Sequence, residues 1–145
     1  YAQRAARIAL LARDPSELLP ALLAALKARV VPPAEAARLA FHPPCTLQHG
    51  QQLRGGVEAG LRALGFDVQL AAMEAHLCCG SAGTYSVLQP LLATQLRDRK
   101  LANLAPIDAQ AIVSANIGCI QHLQSGTATP VRHWIEVLDE ALVDT

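Results

Sequence analysis

Short strand-like segments alternating with helix-length segments limit this chain's fold more than any other feature. Arg38 to His42 (RLAFH) is strand-like and is stopped by Pro43 and Pro44. From Cys45 and Thr46 a helical pattern follows, with Leu53, Val57, Leu61 and Leu64 three or four apart, until Gly65 ends it. Phe66, Val68 and Leu70 then alternate with polar neighbours as a second strand, and Ala71 to Gly83 reads as a connection. Thr84 to Leu104 is a long helical pattern in which Pro90 marks a kink or a restart, and its RDRK run at 97–100 reads as solvated helix surface. Ala111 to Ala115 is a third strand, apolar enough for burial on both faces, and Asn116 and Gly118 turn it into a short helix carrying Cys119 and His122. Thr129 to Arg132 is a fourth candidate strand, and residues 133–143 close the chain with an amphipathic helix through Trp134 and Leu138.

Strands separated by helices of this length require crossover connections, which predicts an α/β fold: a small parallel sheet of three to four strands with helices on both faces. Two Ala/Leu-rich helices, 1–13 and 16–29, precede it, the second opened by Asp14, Pro15 and Glu17, and residues 30–36 break the helix. Residues 1–37 are therefore expected to be a helical extension, and 38–145 the α/β domain. The chain opens on Tyr1 and carries no signal-like leader, which suggests a piece of something longer, working in a reducing cytoplasm.

Twelve basic and twelve acidic residues give zero formal charge, so the chain has no electrostatic footprint for nucleic acid or anionic lipid. Its apolar stretches, such as ALLAAL at 21–26, are too short for a transmembrane segment.

The four cysteines carry the chemistry. Cys45 is followed after thirty-two residues by Cys78 and Cys79, and after thirty-nine more by Cys119, three residues before His122. Neighbouring Cα atoms stand about 3.8 Å apart, short of the roughly 4.4–6.8 Å a relaxed disulfide spans, so Cys78 and Cys79 are a poor bridge for each other. Each follows a predicted strand, and in parallel sheets ligands gather at the carboxyl ends of the strands. All four sulfurs would then meet at one edge, with Cys119 and His122 on one helical face as an i, i+3 pair. That set points to metal or cluster ligation, with Gly80 admitting a close backbone approach. Taken singly, a free cysteine is more often a small buried hydrophobe, and a redox-active Cys78–Cys79 dithiol is a further alternative. His42 and His76, close before the cysteines, read as structural or supporting, as do His49 and His133. Gly50, Gly55, Gly56 and Gly60 read as close packing within one helix.

HPPCTLQHGQQLRGGVEAGL, HLCCGSAGTYSVLQP and SANIGCIQHLQSGTATPVRHW resemble the C-terminal cysteine-rich (CCG) module of the iron–sulfur subunit of bacterial glycolate oxidase, over essentially the whole chain. The resemblance implies an electron-transfer subunit with a ferredoxin-like N-terminal part holding two [4Fe–4S] clusters, followed by two CCG repeats, of which this would be the second. It implies flavin-containing partner subunits that oxidise glycolate to glyoxylate, on the cytoplasmic face of the inner membrane through the complex, with no catalysis by this chain alone. Related modules of heterodisulfide reductases bind iron–sulfur clusters through a cysteine, a Cys–Cys–Gly and a closing Cys-x-x-Cys, matching Cys45, Cys78, Cys79 and Cys119. The closing position here is His122, which leaves two expectations: an iron–sulfur cluster with altered potential, or zinc held by cysteines and one histidine. The competing reading is a zinc-bound or metal-free structural module that docks partner subunits.

Overall fold

The most apolar strand lies where both of its faces are covered. In the computed structural model, which describes residues 1–32 and 38–143, β3 (Ala111–Ser114) sits between β1 (Arg38–Phe41) and β4 (Val131–His133), and β2 (Asp67–Leu70) lies outside β1. All three pairings are parallel, giving one sheet of order β2-β1-β3-β4. Helices supply the crossovers that parallel pairing demands. These are α3 (Gly56–Ala63) between β1 and β2, α4 (Tyr85–Leu88) and α5 (Pro90–Leu104) between β2 and β3, and α6 (Ile117–Gln124) between β3 and β4. α7 (Trp134–Glu140) follows β4, and α1 (Ala2–Leu11) and α2 (Pro15–Lys27) precede the sheet.

Side-chain alternation divides the core in two. Leu39, Phe41, Val68 and Val113 pack with Leu61 of α3 and with Trp134 and Leu138 of α7. Ala40 and Ile112 belong to the second layer, with Leu104 of α5 and Ile120 and Leu123 of α6. The α/β architecture and its helices on both faces thus follow the sequence reading. The strand order adds what the sequence could not: the chain runs from β1 outward to β2 and then crosses to β3 on the other side. The opening between β1 and β3 is the topological switch point, where open α/β sheets receive ligands.

At the N-terminal end, Asp14 and Glu17 form a capping box for α2. Asp14 Oδ1 accepts from the Ser16 N–H at 2.9 Å, and Glu17 accepts from the Asp14 N–H at 2.7 Å. α2 packs on α3, with Leu19 buried over Gly60, where a Cβ would overlap the leucine side chain. Val30 bridges antiparallel to Leu142. The break expected over 30–36 is thus described only as far as Pro32, and residues 33–36 lie outside the described residues.

Two local expectations are corrected. The continuous helix expected from Thr46 to Leu64 is a single wide turn, Thr46–Gly50, then an irregular segment, then α3. Gln52 and Gly55 adopt left-handed backbone at φ 59° and 77°, which no helix can continue through. Of the four glycines read as close packing, Gly60 alone is tightly covered; Gly55 serves instead as the left-handed N-cap of α3, with open space around it.

Glu58 is buried in α3, and burial raises its carboxyl above the usual range despite Arg62 nearby. The folded state therefore holds this proton more tightly than the unfolded chain, so stability falls as pH rises from the unfolded value through the folded one. Glu58→Gln is expected to melt at a higher temperature than wild type above that window. The two curves should converge in acid, as thermal denaturation across pH would record.

Candidate metal centre

The three cysteine-bearing segments begin where their strands end. Cys45 opens the turn after β1, the Cys78–Cys79 pair lies on the loop after β2, and Cys119 sits in the first turn of α6 after β3. Because the strands are parallel, these points share one rim. Cys45, Cys78, Cys79 and Cys119 line one cleft of about 390 Å³ together with Pro44 and Asn116. At about 30 Å³ per water, the cleft has room for a body of several atoms, larger than a single ion requires.

Each sulfur has its own local cause. Asn116 caps α6, accepting at Oδ1 from the N–H groups of Gly118 at 2.9 Å and Cys119 at 3.3 Å, and so fixes the turn that presents Cys119. Gln48, buried three residues after Cys45, donates from Nε2 to the carbonyls of Pro43 at 3.0 Å and His76 at 3.3 Å, tying the first cysteine loop to the second. The Gly80 N–H donates to Cys78 Sγ at 3.3 Å. Gly80 itself is left-handed at φ 93°, and a Cβ there would overlap the Ala93 carbonyl oxygen of α5. Glycine after the cysteine pair is thus required by α5 and by backbone geometry. Gly80→Ala is expected to cost about 1–3 kcal/mol of folding stability, read by urea denaturation, from strain at that φ together with the overlap.

Burial and crowding separate the thiols. Cys79 is held well below the usual thiol range, first by hydrogen bonding from Cys119, and further by the Ser81 backbone and by the His42 ring lying close by without a formed hydrogen bond. Cys119, the donor, is pushed up correspondingly. Burial, reinforced by Cys78, pushes Cys45 up to about 11. One sulfur thus carries negative charge most readily, and its neighbours resist sharing it, the condition a bound cation relieves. Thiolates in this number suit zinc, copper(I) or iron–sulfur clusters.

The histidines fall out differently. His122 Nε2 lies 3.1 Å from the Ala93 carbonyl oxygen, to which it donates, and its ring packs beside Gly80. It braces the cysteine loop against α5, outside the residues that line the cleft. His42 is 1% exposed, and one of its ring nitrogens lies within 4.8 Å of the sulfurs of both Cys79 and Cys119. Two features of the sequence point to this placement: Ala40 and His42 share a face by strand alternation, and HPPC sets the histidine three residues before Cys45. His133 serves elsewhere, accepting at Nδ1 from the Ile135 N–H at the start of α7.

The expectation for RDRK as solvated surface fails at Lys100. That side chain is 1% exposed, on the buried stripe of α5 with Ala93 and Leu104. Its Nζ donates to the carbonyls of Glu74 at 2.7 Å and Ala75 at 3.2 Å, in the segment leading to Cys78. Burial lowers its basicity, while Cys79, Glu74, Cys45 and Cys78 act in the opposite sense, so the ammonium sits within electrostatic reach of three of the sulfurs. Arg99 pairs with the Glu74 carboxylate and Asn103 donates to it at 2.9 Å, so one stretch of α5 clamps residue 74 from both sides. The signal was present in the spacing 93, 100, 104, which is helical and otherwise apolar.

A parallel sheet whose rim gathers every cysteine of the chain defines a cysteine-rich α/β domain. The chain belongs to the CCG cysteine-rich domain family, which it matches over residues 39–124. The "Glycolate oxidase iron-sulfur subunit" of Escherichia coli (strain K12) is 54% identical over 105 residues, covering 72% of this chain and 26% of that protein. "Lactate utilization protein A" of Geobacillus thermodenitrificans (strain NG80-2) is 29% identical over 137 residues, 89% of this chain and 56% of that protein. The "Probable glycolate oxidase iron-sulfur subunit" of Bacillus subtilis (strain 168) is 36% identical over 53 residues, 37% of this chain and 12% of that protein. The chain thus spans about a quarter of the E. coli relative and just over half of the Geobacillus one. Among the described residues, no helix is long and apolar enough to cross a membrane.

Proposed function

We propose that this chain is the cluster-carrying, electron-transfer module of the iron–sulfur subunit of an oxidase complex, with glycolate as the substrate oxidised by its partners. Cys45, Cys78, Cys79 and Cys119 are the ligands, and the group they hold is a cluster of [4Fe–4S] type. The observation that carries the reading is the meeting of all four thiols in one cleft large enough for a polynuclear group. The name of the E. coli relative supports the cofactor and, more narrowly, glycolate; the lactate utilization relatives support the broader class of 2-hydroxy acid oxidation. When bound, the cluster supplies one-electron storage.

The chain's own residues hold the loops, shield the sulfurs and set the local charge. His122, at the closing position of the motif, acts in this reading as the brace of the Cys78–Cys79 loop through Ala93. Residues 38–145 form the module, and 1–37 are its helical approach, seated through Leu19. Val87, Leu88 and Leu91, exposed on α4 and the start of α5 just after the cysteine loop, support a docking face for a flavin-bearing partner. A ferredoxin-like part of the same polypeptide completes the electron path, on the cytoplasmic side and at the membrane only through the complex.

A cysteine-rich site with one histidine nearby also suits zinc in a structural module, which is the second reading. Anaerobic purification followed by iron, acid-labile sulfide and zinc analysis separates the two. Brown protein with iron and sulfide in equal amounts, and an EPR signal on reduction, is expected. Colourless protein carrying one zinc per chain would replace the cluster with the structural module.

A further inference from the structure

We infer that His42 is a direct nitrogen ligand of the group held in this cleft, completing a mixed sulfur and nitrogen shell with Cys79 and Cys119. The inference rests on the metal-binding reading above and adds a ligand that the cysteine motif does not contain.

The argument begins with what the His42 ring lacks. The side chain is 1% exposed, and neither Nδ1 nor Nε2 has a hydrogen-bond partner. A buried imidazole with two unsatisfied nitrogens is costly, because water has been removed and nothing has replaced it. Nor can the ring escape by moving the backbone. The His42 N–H donates to the Val113 carbonyl at 2.8 Å, extending the sheet past the end of β1. Its own carbonyl accepts from Ser114 Oγ at 2.9 Å. Pro43 and Pro44 then fix the chain that leaves it. The fold therefore holds this ring in place at both backbone groups and aims it into the sulfur cluster.

Ligand atoms of a tetrahedral zinc-type site, with bonds of about 2.0–2.3 Å, stand about 3.5 Å apart by geometry. The His42 nitrogen and the two sulfurs lie within 4.8 Å of one another, a separation that small side-chain rotations close. His122, the other candidate nitrogen, already has its Nε2 committed to the Ala93 carbonyl. A neutral imidazole adds a donor without adding negative charge, so the bound group is less negative than a further thiolate would leave it, the direction in which histidine ligation raises the potential of Rieske centres.

Pulsed EPR on the reduced, anaerobically iron- and sulfide-loaded chain, labelled with 15N-histidine, tests this directly. A strong 15N coupling is expected in wild type and in His122→Gln, and its loss is expected in His42→Cys with iron content retained. A cluster without histidine coupling, or coupling that follows His122, would overturn the inference while leaving the cluster intact. If no iron and sulfide bind, the parent reading fails, and Co2+ alone serves as probe. A paramagnetically shifted imidazole signal absent from His42→Cys then supports His42 ligation, and no such signal in Co2+-loaded wild type overturns it. Should His42→Cys fail to fold, the wild-type and His122→Gln couplings decide: a coupling retained in both supports His42, and a coupling missing from either overturns it.

Discussion

Cys79→Ala and Cys119→Ala are each expected to abolish metal loading while leaving the chain folded. Both side chains belong to the α5/α6 core layer, so removing a sulfur there trims a small buried group, at a cost of about 1 kcal/mol. The binding loss is of another size. Outer-shell partners of a metal are commonly worth about 10–100-fold in affinity, and a ligand at the centre of the set exceeds that. Cys79 is also the sulfur that carries negative charge most readily, so its removal takes away the natural first anchor. Iron and sulfide per chain should fall to background in both variants, while far-ultraviolet circular dichroism stays that of wild type. Serine at either position should keep a weakened site, since an oxygen replaces the sulfur without emptying the space. A variant of either kind that loads iron as wild type does would remove that cysteine from the ligand set.

Lys100→Met is expected to produce the second largest effect, for a reason the surface pattern of RDRK conceals. Methionine fills much of the same volume but donates nothing, so the carbonyls of Glu74 and Ala75 lose the ammonium that gathers them onto α5. Hydrogen bonds to a charged group contribute about 1.5–3 kcal/mol each, partly offset here because the buried charge is removed as well and the carbonyls can recruit water. A net stability loss of about 2 kcal/mol follows, from the charged-bond range above less that offset. The larger consequence is at the cleft, where the segment entering Cys78 is released and a positive charge beside the thiolates disappears. Metal retention against a chelator should drop about 10–100-fold, the range for lost outer-shell support. Lys100→Arg should rescue poorly, because a forked guanidinium does not fit a space shaped for a single ammonium. Equal retention in Lys100→Met and wild type would reduce Lys100 to a core residue with no part in the site.

These three residues mark the difference between what local pattern reveals and what only assembly reveals. Strand and helix alternation was legible, because β3 is apolar on both faces and the helices between strands keep a 3.6 period. The convergence of the four cysteines was legible for a geometric reason: segments that follow parallel strands emerge at one rim. Strand order was not, since the crossing from β2 over to β3 leaves no trace in a single sequence. The burial of Lys100 is hidden in a charged run that looks solvated, although positions 93, 100 and 104 share a face. The glycines around 55 misled in the opposite sense, since a left-handed cap and a packed glycine look identical as letters. The nearness of His42 to Cys45 is visible in the sequence, but its two unpartnered nitrogens exist only once Val113 and Ser114 have pinned its backbone.

Differential alkylation of the metal-loaded and chelator-stripped chain, read by mass spectrometry residue by residue, tests the convergence of the sulfurs most directly. In the stripped chain all four thiols should be alkylated, each at a rate set jointly by its burial and its thiolate character. In the loaded chain all four should be protected together and released together by chelation. Cys45 or Cys119 reacting at the same rate in both states would mean that the four thiols do not hold one common group.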